Sequence, residues 1–388
     1  MDCVSVMFAL LRAEVCGAKE EQQLNTPLPV SDQEALFALS KSHDLVHIVG
    51  HGLQKRKLDT DAQLAQKFAY QTKLAICRSA LQQRAYDQLC GLLETAQIPF
   101  IPLKGAVIRH YYPQSWMRTS SDIDVLVPEE QLSKAVESLI AKGYTYQGRE
   151  ACAVSLFSAT GVHVELHFSL IADYEDGYYD QILENVWERA ALTAGKDYQY
   201  KMSDGLFYYY HVAHIVRHVR SGGCGVRPVL DTWLLNHRMD YDPAARKALL
   251  AEGGLLTFAG EVEKLAQVWF DGAPHDRVSA LLAEFILGNG VYGTYEQKIA
   301  MHQAQNAGKG RHILSRIFMP YERLKHLYPV LGKHKWLMPF CTVARWCSLL
   351  LSGGTKRAAR MLKTGNAISQ DARLSTAQLL SDLGLDGK

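Results

Sequence analysis

Asp122 and Asp124 stand one residue apart in Ser121-Asp122-Ile123-Asp124-Val125-Leu126-Val127, a run whose alternation and β-branched residues read as a strand. Residues i and i+2 of a strand share a face. The two carboxylates therefore project side by side, while Ile123, Val125 and Val127 point the other way. Adjacent anions repel unless a cation lies between them. Mg2+ suits that place, because it takes hard oxygen ligands and is usually held by one or two carboxylates together with substrate phosphates. An Asp-x-Asp pair alone also fits the solvated face of an edge strand, so the neighbouring residues decide between the two readings.

Upstream, Ile98 to Leu103 reads as a short buried strand that runs into a Lys104-Gly105 turn and a helix start. Glycine lets a backbone approach a ligand closely, and the free N–H groups of a helix start favour phosphate. Lys104 adds a positive charge there; the plain alternative is a simple turn with a solvated lysine. The polar, aromatic loop from Tyr111 to Ser121 then delivers Arg118, Thr119, Ser120 and Ser121 to the acidic strand. The planar fork of Arg118 either meets a triphosphate or braces Asp122. Downstream, Val162 to Phe168 alternates as a second strand with His163, Glu165 and His167 on one face. Glu165 offers a third carboxylate. His167 suits a hydrogen bond to a ligand carboxylate better than direct ligation, since phosphate chemistry runs on oxygen ligands.

Further along, a helical segment carries His211, His214 and His218 at i, i+3 and i+7, which places them on one face. No cysteine or carboxylate pattern accompanies them, so a polar stripe facing a cleft is expected rather than a metal triad. A glycine-rich loop, Ser221 to Gly225, breaks that helix. Arg227 and Asp231 straddle the next helix start, either as an Arg–Asp clamp between helices, as substrate contacts, or as both.

The order strand, Lys-Gly turn, helix, Asp-x-Asp strand, helix over 128–142 and Glu-bearing strand resembles the DNA polymerase β-like nucleotidyltransferase superfamily. More closely, it resembles the group of bacterial proteins labelled uncharacterised nucleotidyltransferases. The matching residues are Leu103-Lys104-Gly105, Tyr111-Tyr112-Pro113, Arg118, Asp122-Ile123-Asp124 and His163-Val164-Glu165-Leu166-His167, followed by His214, Arg227 and Asp231. The likeness is strong over 96–170 and looser over the helical remainder. It implies an α+β fold: a small mixed β-sheet nucleotidyltransferase core with flanking helices, embedded between N-terminal and C-terminal helical regions. It also implies Mg2+-dependent transfer of an NMP from an NTP such as ATP to an acceptor hydroxyl, with release of pyrophosphate. Asp122, Asp124 and Glu165 would then be catalytic and hold two Mg2+ ions. Lys104, Gly105, Arg118, Ser121, His167 and Arg227 would serve the nucleotide. One feature departs from the superfamily, which has Gly-Ser where this chain has Lys104-Gly105 followed by Ala106. The phosphate donor would instead be Lys104, backbone N–H groups, or Thr119, Ser120 or Ser121. The same departure suits an alternative, a non-catalytic nucleotide- or partner-binding protein that keeps the fold.

At 388 residues the chain is long enough for two or three domains, and 48% hydrophobic residues support a full core. The expected divisions are a helical region over 1–95, the α/β core over 96–170, a second helical region over 171–365 and a tail over 366–388. Within the first region, Ser31 reads as the N-cap of a helix from Asp32. A long helix from Asp61 to Ala96 carries Leu64, Phe68, Leu74, Leu81, Tyr86, Leu89 and Leu93 near helical spacing. A formal charge of only +2 gives no global basic field for nucleic acid, so the acceptor is left as a small molecule, a protein side chain or an RNA end. Eight scattered cysteines form no Cys-x-x-Cys pair, which argues against zinc and for a reducing cytoplasm. Met1 to Arg12 has an apolar run without a basic lead-in and reads as a first helix rather than a signal peptide. Trp336 to Leu351 contains Pro339 and Arg345 and is too short to span a bilayer; a core-packing helix is expected there, with an interfacial anchor as the alternative. The final residues read as a weak helix or a partly disordered end.

Overall fold

In the computed structural model the described residues are 2–18, 24, 28–58, 61–171, 180–305, 321, 324, 328–332, 334–351 and 370–386. The first region is helical: α1 (Cys3–Leu11), a π-helical turn (Arg12–Cys16), α2 (Val30–Ser42), α3 (Val46–Arg56) and α4 (Ala62–Thr95). Ser31 does not cap α2. The helix starts earlier, because extended Pro29 already accepts hydrogen bonds from the Asp32 and Gln33 N–H groups.

α4 is capped by Asp61, whose side chain accepts from Leu64 N–H at 2.7 Å. Its buried positions are Leu64, Phe68, Thr72, Ala75, Ser79, Gln82, Ala85, Leu89, Cys90 and Leu93, a stripe of spacing three and four. Leu81 was expected on that stripe but is exposed. Gln82 and Ser79 take the inward places because α4 there crosses a polar loop: Gln82 Nε2 donates to Ser120 O at 2.6 Å, and Ser79 bonds Ser115.

The chain then builds one five-stranded sheet from β1 (Ile101–Pro102), β2 (Asp122–Leu126), β3 (Thr145–Arg149), β4 (Ala153–Phe157) and β5 (His163–His167). The spatial order is β1-β2-β5-β4-β3, and only the β2–β5 pairing is parallel. The short helix α5 (Gly105–Ile108) leaves β1, and α6 (Leu132–Ile140) links β2 to β3. Ile123, Val125 and Val127 point into a core made with Leu89 and Leu93 of α4 and Leu132, Ala135 and Leu139 of α6. Leu126, on the aspartate face, joins the other core. A hairpin of β6 (Ala190–Leu192) and β7 (Tyr200–Met202) continues from the β1 edge through a bridge between Phe100 and Gln199.

The remaining elements are helical: α7 (Gln181–Glu184), α8 (Asp204–Arg220), α9 (Val226–Arg238), α10 (Pro243–Glu252), α11 (Leu256–Asp271), α12 (Arg277–Asn289) and α13 (Tyr295–Gln305). The two helical regions share one apolar core: Met7, Leu10 and Ile48 lie in the same cluster as Tyr208, Trp233 and Phe258. The segment expected to be a weak helix or a partly disordered end contains a helix, Gln370–Asp382. It packs on α12 and α13, buries Leu379, Leu380 and Leu383, and pairs Asp382 with Arg277 at 2.8 Å. The helix Met338–Leu351 differs from the core-packing expectation: Trp336 (69% exposed), Phe340 (66%) and Val343 (52%) face outward, and Cys341 joins only a small cluster with Leu324 and Leu331. Among the described residues, no helix is long and apolar enough to cross a membrane.

Leu89 is fully buried where α4 supports the sheet. Leu89→Ala is expected to destabilise the fold by about 2–5 kcal/mol in chemical denaturation, the usual result of a cavity in a packed core.

Candidate functional site

β2 and β5 run parallel and in register, pairing Asp122 with His163, Asp124 with Glu165 and Leu126 with His167. Neighbouring strands lie about 4.8 Å apart, so this register brings three carboxylates from two distant segments onto one patch. Ligand atoms of Asp122, His163 and Glu165 lie within 4.8 Å of one another, as do those of Asp124, Glu165 and His167. Asp124 is buried, whereas Asp122 and Glu165 are half-buried. His163 turns to Ser155 at 2.6 Å and lies against the Phe157 ring.

Two cations already face Asp124. Lys104 Nζ and His167 Nε2 both donate to Asp124 Oδ1, each at 2.8 Å, and His167 Nε2 also reaches Glu165 Oε2 at 3.2 Å. Burial alone would push the Asp124 carboxyl up, but the His167 hydrogen bond and the Lys104 charge hold it well below the usual range. His167 is raised to about 10: burial opposes its charge, and hydrogen bonds with Asp124, Cys152 and Glu165 outweigh burial. The His167 hydrogen bond likewise lowers Glu165 against burial. Asp122 goes the other way, raised by burial and then by the charge of Asp124. That carboxylate is the least compensated of the three. The acidic groups, joined through Glu165, could hold a metal ion.

Lys104 is neither solvated nor placed by an ordinary turn. Its backbone sits at φ 41, ψ −116, a region that L residues rarely adopt and that costs about 1–3 kcal/mol. Its carbonyl accepts from Val107 and Ile108 N–H and so opens α5, while Leu103 N–H bonds Asp124 O at 3.1 Å. Gly105 packs closely on the loop: a Cβ there would lie 3.3 Å from the Ser120 side chain. Ser121 donates to Asp122 Oδ2 at 3.2 Å and remains exposed.

Arg118 braces neither Asp122 nor open solvent. It grips Asp231 on α9, with Nε at 3.0 Å from both carboxylate oxygens and Nη2 at 2.9 Å, and Tyr112 donates its hydroxyl to the same carboxylate at 2.7 Å. The expected Arg227–Asp231 pair does not form. Arg227 instead meets Asp44 at 2.7 Å and Thr119 O at 2.8 Å. Asp231 thus clamps α9 to the loop before β2, through a different arginine.

Beside Lys104 a cleft of about 120 Å³ is lined by Lys104, Arg118, Tyr210, His214, His218 and Arg227, among others. The start of α9 opens into it at Gly225, which offers no capping side chain. His214 and His218 face each other at 3.0 Å between Nε2 atoms, whereas His211 is turned to Thr232 and Pro228 O. Burial lowers His211 and His218 to about 4 each and carries His214 well below its usual value. The stripe therefore meets the cleft as neutral rings. Among the described residues it forms no metal-ligating cluster. The Gly-rich loop is tight because a Cβ on Gly223 would lie 2.2 Å from Gly293 N.

Sequence reasoning missed Tyr112, Asp44, Tyr210 and Gln82 as neighbours of the site. Tyr112 and Asp231 both belong to the recurring motif pattern, which does not say that they touch; nothing in the sequence marked Asp44 or Gln82.

A mixed sheet that sets Asp-x-Asp beside a Glu on a parallel neighbour, entered through a tight turn and short helix, has the architecture of a nucleotidyltransferase core. The chain belongs to the family described as uncharacterised nucleotidyltransferase, whose family model matches residues 29–271. No curated protein and no solved structure matches the chain.

Arg118 and Asp231 are 13% and 1% exposed in their side chains. Asp231→Ala leaves a buried guanidinium and the Tyr112 hydroxyl without their shared partner, so a loss of about 3–5 kcal/mol is expected in chemical denaturation; a loss within surface-mutation range would contradict the clamp. For His167, the raised folded value gives stability that is complete below about pH 6.5 and is lost as pH rises through about 10. In EDTA, the stability advantage of wild type over His167→Gln should therefore shrink on going from about pH 6 to about pH 10, followed by thermal unfolding. An unchanged gap would contradict the charged pairing.

Proposed function

We propose that this protein transfers an NMP from an NTP to an acceptor hydroxyl and releases pyrophosphate, with a divalent cation as cofactor. The observation that carries this reading is that Glu165 on β5 lies within ligand reach of Asp122 and, separately, of Asp124 on the paired strand β2. These three side chains would hold the cation, Mg2+ by the hardness of the donors. A cation so held offsets charge on the entering and leaving oxygens of an in-line displacement.

The chain's own groups do the rest. The acceptor oxygen bonds to the α-phosphorus as the α–β phosphoanhydride bond breaks. Glu165, half-exposed beside the acids, takes the hydroxyl proton. The exposed Ser121 hydroxyl and the uncapped start of α9 supply donors for phosphate oxygens. Arg118 and Arg227 line the adjoining cleft while held by Asp231 and Asp44, so they position α9 and the loop and fix where the triphosphate lies. The acceptor is a hydroxyl on a small molecule, a protein or an RNA end. Eight free cysteines accord with a reducing cytoplasm.

A second reading, a non-catalytic nucleotide- or partner-binding protein, is favoured by one observation: Lys104 replaces the superfamily's glycine and occupies Asp124. Incubation with α- or γ-labelled ATP, GTP, CTP and UTP, with Mg2+ and cell extract as the acceptor source, separates the readings. Incorporation of the α label with pyrophosphate release is expected. Asp122→Asn and Asp124→Asn, checked for folding by circular dichroism, should reduce incorporation to background. Full incorporation by the folded double variant would reject the assignment, transfer of the γ label would indicate a phosphotransferase, and nucleotide binding without pyrophosphate release would establish the second reading.

A further inference from the structure

Lys104 stands out because the fold spends an unfavourable backbone on it. A glycine would hold φ 41, ψ −116 without penalty. This chain keeps the glycine-like backbone and hangs a lysine on it. The side chain does not drift into solvent. It runs inward until its ammonium lies 2.8 Å from Asp124 Oδ1, with Asp124 only 4% exposed. Strain of this kind persists where surrounding structure fixes it, and here both neighbours are fixed: Leu103 N–H is bonded to Asp124 O, and Lys104 O opens α5.

The oxygen it meets is the one that matters. Two ions about 3.5–4 Å apart clamp an in-line displacement, and a carboxylate can serve both by offering one oxygen to each. Asp124 is placed to do so, between Asp122 on its own strand and Glu165 on the next. Yet its Oδ1 already accepts from both Lys104 Nζ and His167 Nε2, leaving Oδ2 as the oxygen open to a metal. Charge points the same way. Lys104 Nζ and His167 Nε2 already face Asp124, so a second divalent ion would sit against a fixed ammonium.

We propose that the Lys104 ammonium is a tethered cation standing in for one of the two metal ions, so that this site binds a single divalent cation through Asp122, Glu165 and Asp124 Oδ2. The inference rests on the reading of the acidic trio as a metal site. It revises the expectation of two Mg2+ ions and gives Lys104 a role at the carboxylates rather than on the phosphates.

Stoichiometry tests it without reference to activity. The full chain is titrated with Mn2+ alone, and bound ion is counted from the loss of the free-ion electron paramagnetic resonance signal. Wild type should bind one Mn2+ per chain at this site. Lys104→Gly, which suits the backbone, and Lys104→Met, which keeps the bulk, should each bind two, with an exchange-coupled Mn2+ pair signal that wild type lacks. Thermal unfolding checks that at least one variant is folded. Two coupled ions in wild type would overturn the proposal, as would a single ion in both wild type and the folded variants. Binding of none by wild type but one or more by the variants would show that the lysine displaces metal altogether, overturning the single-ion site and favouring the non-catalytic reading. Binding of none by any of them would remove the metal site itself, and the proposed transfer reaction with it.

Discussion

The parallel, in-register pairing of β2 with β5 is the constraint on which the rest depends. It sets Asp124 directly across from Glu165, more than forty positions away in the chain, and puts Asp122 alongside. A slip of one residue would turn Glu165 to the opposite face and leave Val164 or Leu166 against the aspartates. The register is held from below. Ile123, Val125, Val164 and Leu166 are all buried in the core formed with α4 and α6, so apolar burial on one face fixes the acidic geometry on the other. In that sense the site is a by-product of the core, and its acids are held in mutual repulsion by packing they take no part in.

Repulsion among the acids is met by groups from separate parts of the chain. Lys104 reaches Asp124 from the turn before α5, and His167 reaches it from the end of β5. Around them, a second set of contacts ties the helical regions to the sheet: Asp231 to Arg118 and Tyr112, Arg227 to Asp44 and Thr119, Gln82 to Ser120. All of these contacts but the Arg227–Asp44 pair end on the loop that runs into β2. The loop lacks regular periodicity, yet it is pinned from α4, α9 and the turn after α2. A cleft with neutral histidines on one wall then lies next to the acids rather than apart from them.

Much of this was legible from the residues. Period-two alternation at 121–127 and 162–168 reveals both strands and which side chains share a face, because strand geometry leaves no other arrangement. The 34-residue α4 reads from its spacing and its Asp61 cap. What failed to read was tertiary. Leu81 was expected inward, but α4 turns Gln82 to the loop instead, a choice made by a partner that helical periodicity cannot see. Arg118 was assigned to phosphate or to Asp122, and it went to an aspartate over a hundred residues downstream. The motif held both residues without saying that they touch. The strained backbone of Lys104 and its buried pairing with Asp124 have no signature in a Lys-Gly dipeptide.

The claim at the centre is that Asp122, Asp124 and Glu165 form one cation site. Crystals of the protein soaked in Mn2+ and measured near the manganese absorption edge address it directly. An anomalous peak among these three side chains, at metal–oxygen distances of about 2.0–2.6 Å, is the expected result. Its absence there at saturating ion, or a peak lodged only on His214 and His218, would contradict the account.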